Sequence, residues 1–173
     1  MPKESFDEYR SRVLGYLGKR DPLRVLSATP ARLERLVRGV PRRTLGRRPR
    51  AGKWCTSEIL AHMADAELAI AWRFRTMLAT PGERLAWFDE HLWSERLAYG
   101  RVPPALSLDT FRALRRGNLA LLRSVPCTRW KVAFGVHEKR GRQTVADFVR
   151  MEAAHDLNHI LQIERLLRRG PVR

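Results

Sequence analysis

The chain has 173 residues, 44% of them hydrophobic, which is enough to bury one compact core without disulfides. Lys and Arg number 34 against 18 Asp and Glu, a formal net charge of +16, so an anionic partner has to be weighed. No apolar run approaches the ~20 residues of a membrane span, the first residues lack the basic-then-apolar layout of a secretory signal, and Cys55 and Cys127 show no CxxC spacing. The expected protein is cytoplasmic, with no membrane partner and a small-molecule substrate.

Residues 3 to 19 predict a short helix ending near Gly15 or Gly18, an N-terminal extension (1–20) to a single domain over 21–173. Asp21-Pro22 opens a second segment. Thr29-Pro30 reads as an N-cap followed by proline at the first helical position, so that Ala31 to Arg38 forms a helix closed by Gly39 and Pro41. A basic loop follows, with Arg42, Arg43, Arg47, Arg48, Arg50 and Lys53 among Pro41, Gly46, Pro49 and Gly52. It is able to bind phosphate or acidic ligands. Thr56 or Ser57 then caps a long helix whose apolar residues Ile59, Met63, Ala66, Ile70 and Phe74 recur at threes and fours, with His62 beside that stripe.

From 83 to 104, Trp87, Phe88, Asp89, Glu90, His91, Trp93 and Tyr99 mark an aromatic and acidic connection that crosses the bundle and is partly helical. Ser107 caps the next helix, with Phe111, Leu114, Leu119, Leu121 and Leu122 supplying its core until Pro126. Arg112, Arg115, Arg116 and Arg123 read as a solvated face. Without a helix-turn-helix, a zinc finger or interleaved aromatics beside the charge, a nucleic-acid surface is disfavoured. Residues 130 to 143 predict a loop with short extended pieces, and Thr144 to Asp147 a capping-box-like start for the last helix. Four principal helices and one long crossover make the fold all-α, a four-helix bundle.

His155 and His159 are four residues apart, so on a helix both imidazoles share one face and can converge on one ion. His62 adds a third ligand from another helix, which makes an open metal site. Such a metal can activate water or a thiol as a nucleophile. Nitrogen donors leave nickel, zinc, iron and manganese all open. Glu58, Asp65, Glu152, Asp156 and Asn158 are candidates to orient the imidazoles, and surface or capping roles are the plain alternative for each. His137, Arg73 and Gln162 are candidates for substrate contact or proton transfer. The HDLNH run carries Asp where the HExxH peptidase pattern has its general-base Glu, which argues against that class.

The ordered set PRAGKWCTSEILAHMADAE (49–67), FRALR (111–115), Trp130 with GVHEKRGRQT (135–144), and HDLNHILQI (155–163) resembles the DinB/YfiT-like superfamily of metalloenzymes, over roughly Asp21 to Leu167. The resemblance implies a bundle with an up-down-down-up path and a divalent metal among His62, His155 and His159. It also implies a homodimer and a reaction of the thiol S-transferase kind, with a low-molecular-weight thiol cosubstrate, or a hydrolase. The alternative reading is a non-catalytic stress-response or binding protein, with a structural metal or a basic surface for nucleic acid.

Overall fold

A computed structural model describes residues 4–168. The outer limits expected for the extension and the domain, residues 1 and 173, lie outside the described residues. The helices are α1 (Phe6–Leu17), α2 (Pro22–Val37), α3 (Arg42–Leu45), α4 (Thr56–Ala79), α5 (Glu90–Arg96), α6 (Pro104–Ser124), α7 (Cys127–Trp130) and α8 (Val145–Arg168). Three short strands, β1 (Arg84–Leu85), β2 (Phe134–His137) and β3 (Gly141–Thr144), form one sheet, with β1 parallel to β2 and β2 antiparallel to β3. No helix among the described residues is long and apolar enough to cross a membrane.

Helices α2, α4, α6 and α8 form the bundle, and two apolar clusters give their directions. One cluster joins Leu26 of early α2, Ile70 to Leu78 of late α4, Leu119 and Leu122 of late α6, and Val145 to Leu157 of early α8. The other joins Leu33, Ile59, Leu60, Met63, Phe111, Ile160 and Ile163, the opposite end of each helix. So α2 and α8 run one way while α4 and α6 run the other, an up-down-down-up path. Since α4 and α6 are parallel, the chain must travel the length of the bundle between them, which is why the 80–103 crossover is long. Helix α1 packs on α8 and buries Val13 and Leu17.

Several boundaries depart from the sequence reading. Helix α2 starts at Pro22, capped by the Asp21 carboxylate that accepts the Leu23 and Arg24 N–H groups, and runs straight through Pro30. Thr29 is therefore interior, its hydroxyl donating to the Val25 carbonyl at 3.0 Å. Ser107 is likewise a buried interior residue of α6, which begins at Pro104, a residue pre-set for the first turn. Cys55 is the cap residue of α4, one position before the expected pair. Residues 134–144 form the β2–β3 hairpin. The Thr144 and Asp147 side chains do close a reciprocal cap on α8, with Asp147 N–H to Thr144 Oγ1 at 3.1 Å and Thr144 N–H to Asp147 Oδ2 at 2.9 Å.

Gly135 sets how closely β1 and β2 approach. A Cβ there would stand 2.6 Å from Leu85 Cγ, and Leu85 is fully buried and cannot withdraw. Gly135→Ala is expected to lower stability by about 1–3 kcal/mol through overpacking, read from the shift in the urea midpoint at unchanged slope. An unshifted midpoint would show that the sheet yields at no cost.

Candidate metal centre

Three imidazoles meet between α4 and α8. The second turn of α4 supplies His62, and the middle of α8 supplies His155 and His159, whose four-residue spacing stacks them on one face. One nitrogen from each ring lies within 4.8 Å of the others. His155 Nε2 is 3.1 Å from His62 Nε2 and 3.0 Å from His159 Nε2. Those two separations match nitrogens sharing one ion through bonds of about 2.0–2.1 Å at roughly a right angle.

Hydrogen bonds alone do not satisfy this cluster. Gln162 Oε1 lies 3.0 Å from His159 Nδ1 and takes its proton, leaving His159 Nε2 as a lone pair. His155 Nε2 has a single in-plane position and cannot pair with both neighbours. His62 Nδ1 is buried and without a partner among the described residues. A cation facing three Nε2 lone pairs resolves the conflict at His155, provided every ring is neutral, and leaves the His62 proton on Nδ1. Burial enforces that state: it pushes His62 and His155 well below the usual imidazole value, with neighbouring histidines adding to the shift, and pushes His159 down to about 4 against the opposing pull of Gln162 and Asp156. The residues present therefore fit a divalent ion.

Aromatic and polar groups frame the cluster. Trp54, just before α4, packs at 4.8 Å on the His62 ring, and His91 of α5 lies 5.4 Å from Trp54 on the crossover. Behind α8, Arg115 of α6 is 2% exposed. It donates to Asp156 at 2.5 and 3.1 Å, to Glu67 at 2.8 Å, and to the Leu26 carbonyl at 3.0 Å. Asn118 donates to Glu67 at 2.8 Å. The arginine read as part of a solvated face is thus the centre of a buried network joining all four bundle helices. Burial lowers its pKa, but Asp156 and Glu67 outweigh that and hold it charged.

The other expected site residues divide. Gln162 is the partner of an imidazole. Glu58 is not: its carboxylate pairs with Arg48 and accepts the Cys55 N–H at 2.9 Å, fixing the start of α4. Asp65 accepts the Tyr99 hydroxyl at 2.7 Å, tying the crossover to α4. Asn158 accepts from Arg12 of α1 at 3.0 Å. Arg73 donates to the Ala86 carbonyl at 2.7 Å. Glu152 receives no side-chain hydrogen bond among the described residues, and burial with Glu67 and Asp156 nearby raises it to about 8. His137 is buried on β2, where a loop position was expected. Sequence reasoning missed Glu67, Arg115 and Asn118. A signal was present, since Arg115 falls at the core phase of α6, four residues from both Phe111 and Leu119.

The chain is similar to "Putative metal-dependent hydrolase YfiT" of Bacillus subtilis (strain 168), 26% identical over 147 residues that cover 85% of this chain and 83% of that one. It is also similar to a "Putative metal-dependent hydrolase" of Oceanobacillus iheyensis, 25% identical over 120 residues, 69% of each chain. A solved structure described as "YfiT from Bacillus subtilis is a probable metal-dependent hydrolase with an unusual four-helix bundle topology" superposes with a TM-score of 0.79 at 25% identity, covering 98% of this chain and 92% of that one. The family model of the DinB superfamily matches residues 26–163, most of the bundle including all three histidines, and the chain belongs to that superfamily.

Proposed function

We propose that this protein is a divalent-metal-dependent hydrolase acting on a small molecule, with the ion held by His62, His155 and His159. The observation that carries the reading is the convergence of three neutral imidazole nitrogens that hydrogen bonds cannot satisfy. A divalent ion bound there supplies an open position that acidifies water or polarises a substrate oxygen. The chain's own residues prepare the site. Gln162 fixes the tautomer and ring plane of His159, as partners of metal-binding histidines commonly do. Trp54 covers one side of His62 and keeps bulk water from it. Arg115 grips Asp156, the residue after His155, and so holds that turn of α8 in register with α4.

The test is metal content per chain, measured without a histidine tag or chelator, for the wild type and for His62→Ala, His155→Ala and His159→Ala. About one ion in the wild type is expected, with at least a tenfold loss in each variant whose helicity is retained. Little metal after reconstitution with nickel, zinc, iron and manganese would end the reading, as would variants that keep their ion.

A further inference from the structure

The inner side of the β2–β3 hairpin carries a second polar cluster, outside the three imidazoles. His137 is 1% exposed. The Lys139 backbone N–H donates to its Nδ1 at 3.2 Å, which places the proton of the neutral ring on Nε2. That Nε2–H is buried and has no acceptor among the described residues. The hairpin turns back through Arg140, whose N–H donates to the His137 carbonyl at 3.2 Å. The Arg140 guanidinium stacks over the Phe6 ring at 4.3 Å, and its charge acts on His137, His155 and Tyr9 alike.

Arg73 approaches the same place from α4. It is 7% exposed and lies 5.8 Å from the Phe88 ring and 5.7 Å from the Phe148 ring, and its charge also acts on His137. Neither guanidinium stands within ion-pair distance of a carboxylate among the described residues. Glu152, one turn before His155, is the half-buried carboxyl whose charge would bear on both, while Glu90 of α5 bears on Arg140 alone. Raised to about 8, Glu152 is mostly protonated at neutral pH and offers little compensation. A buried donor without an acceptor and two largely desolvated cations outside any ion pair are each costly, and one oxyanion between them would satisfy all three.

We propose that His137, Arg140 and Arg73 form an oxyanion-binding subsite beside His155, which selects substrates carrying a carboxylate or phosphate group. The catalytic use of the subsite rests on the hydrolase reading, but its existence is testable without the metal. The experiment is calorimetric titration of the metal-free protein at pH 7 and low salt with succinate, inorganic phosphate and neutral succinamide. Saturable binding of one succinate or phosphate per chain is expected, with no binding of succinamide. The tighter of the two anions identifies the group.

Arg140→Gln and His137→Phe, each checked for retained helicity, should weaken that binding at least tenfold. Arg42→Gln, on the exposed basic segment, should leave it unchanged, and so should His62→Ala, which removes a metal ligand. Absence of saturable binding by either anion would overturn the proposal, as would binding that survives both subsite substitutions. Metal loss in His62→Ala with succinate binding intact separates the fate of this subsite from that of the metal centre.

Discussion

Arg115→Met is expected to destabilise the metal-free protein by about 3–5 kcal/mol, the usual cost of removing one partner from a buried ion network. Methionine fills a similar volume, so the effect is electrostatic. Glu67 and Asp156, both buried, would face each other without a cation. The Leu26 carbonyl would also lose its donor, and Pro30 makes that loss unusually costly. A residue at position 30 with an N–H would donate to Leu26 within α2, but proline has none, and Arg115 supplies the bond from another helix. Replacing the acids together with the arginine, as in Arg115→Met with Glu67→Gln and Asp156→Asn, should recover part of the stability, since burying neutral groups costs less than burying unpaired charge. The check is the urea midpoint at unchanged slope. A loss below about 1 kcal/mol for Arg115→Met would mean that the network does not hold the four helices together.

The same proline shows where sequence reading reaches its limit. Thr29-Pro30 has the local chemistry of a helix start, and local chemistry alone favours breaking the helix there. The compensating donor lies 89 residues away in sequence and cannot be seen from the segment itself. Features set by nearest neighbours were legible: the Thr144–Asp147 cap, the periodic stripe of α4, and the shared face of His155 and His159. The convergence of His62 with that pair was suggested by helix phase and family order together. What stayed hidden depends on which helix faces which. Arg115 has three arginine neighbours along the chain that suggest solvent, and only the parallel packing of α4 and α6 turns it toward Glu67. Ser107 similarly offers a cap in sequence while Pro103-Pro104 begins the helix one turn earlier.

Between pH 6.5 and about 4 the metal-free protein is expected to lose stability steeply because its buried histidines resist protonation. In the unfolded chain an imidazole takes up its proton near 6.5. In the fold, burial holds His137 and His159 neutral down to about 4. Above pH 6.5 both states are neutral and nothing is lost. As the pH falls, the unfolded state binds protons that the folded state refuses, and each of these two rings costs on the order of 3 kcal/mol once the lower value is passed. His62 and His155 are displaced in the same direction and deepen the fall.

Glu152 acts from the other side. Its folded value of about 8 lies above the usual 4.5, so stability declines as the pH rises from 4.5 through 8. With at least two histidines opposing one carboxyl below pH 6.5, these groups place the stability maximum near that value. Carboxylates held low in the fold, such as Glu58 with its Arg48 and Cys55 contacts, lose their contribution only below about pH 4.5, which leaves the interval from 6.5 to 4.5 to the histidines and Glu152. Thermal melts of chelator-treated protein across this range are the measurement. His137→Phe should flatten the acid limb by about one proton, and Glu152→Gln should flatten the alkaline limb. If neither limb changes in these variants, the two groups titrate as they would in water, and neither the neutral buried His137 nor the protonated Glu152 would stand.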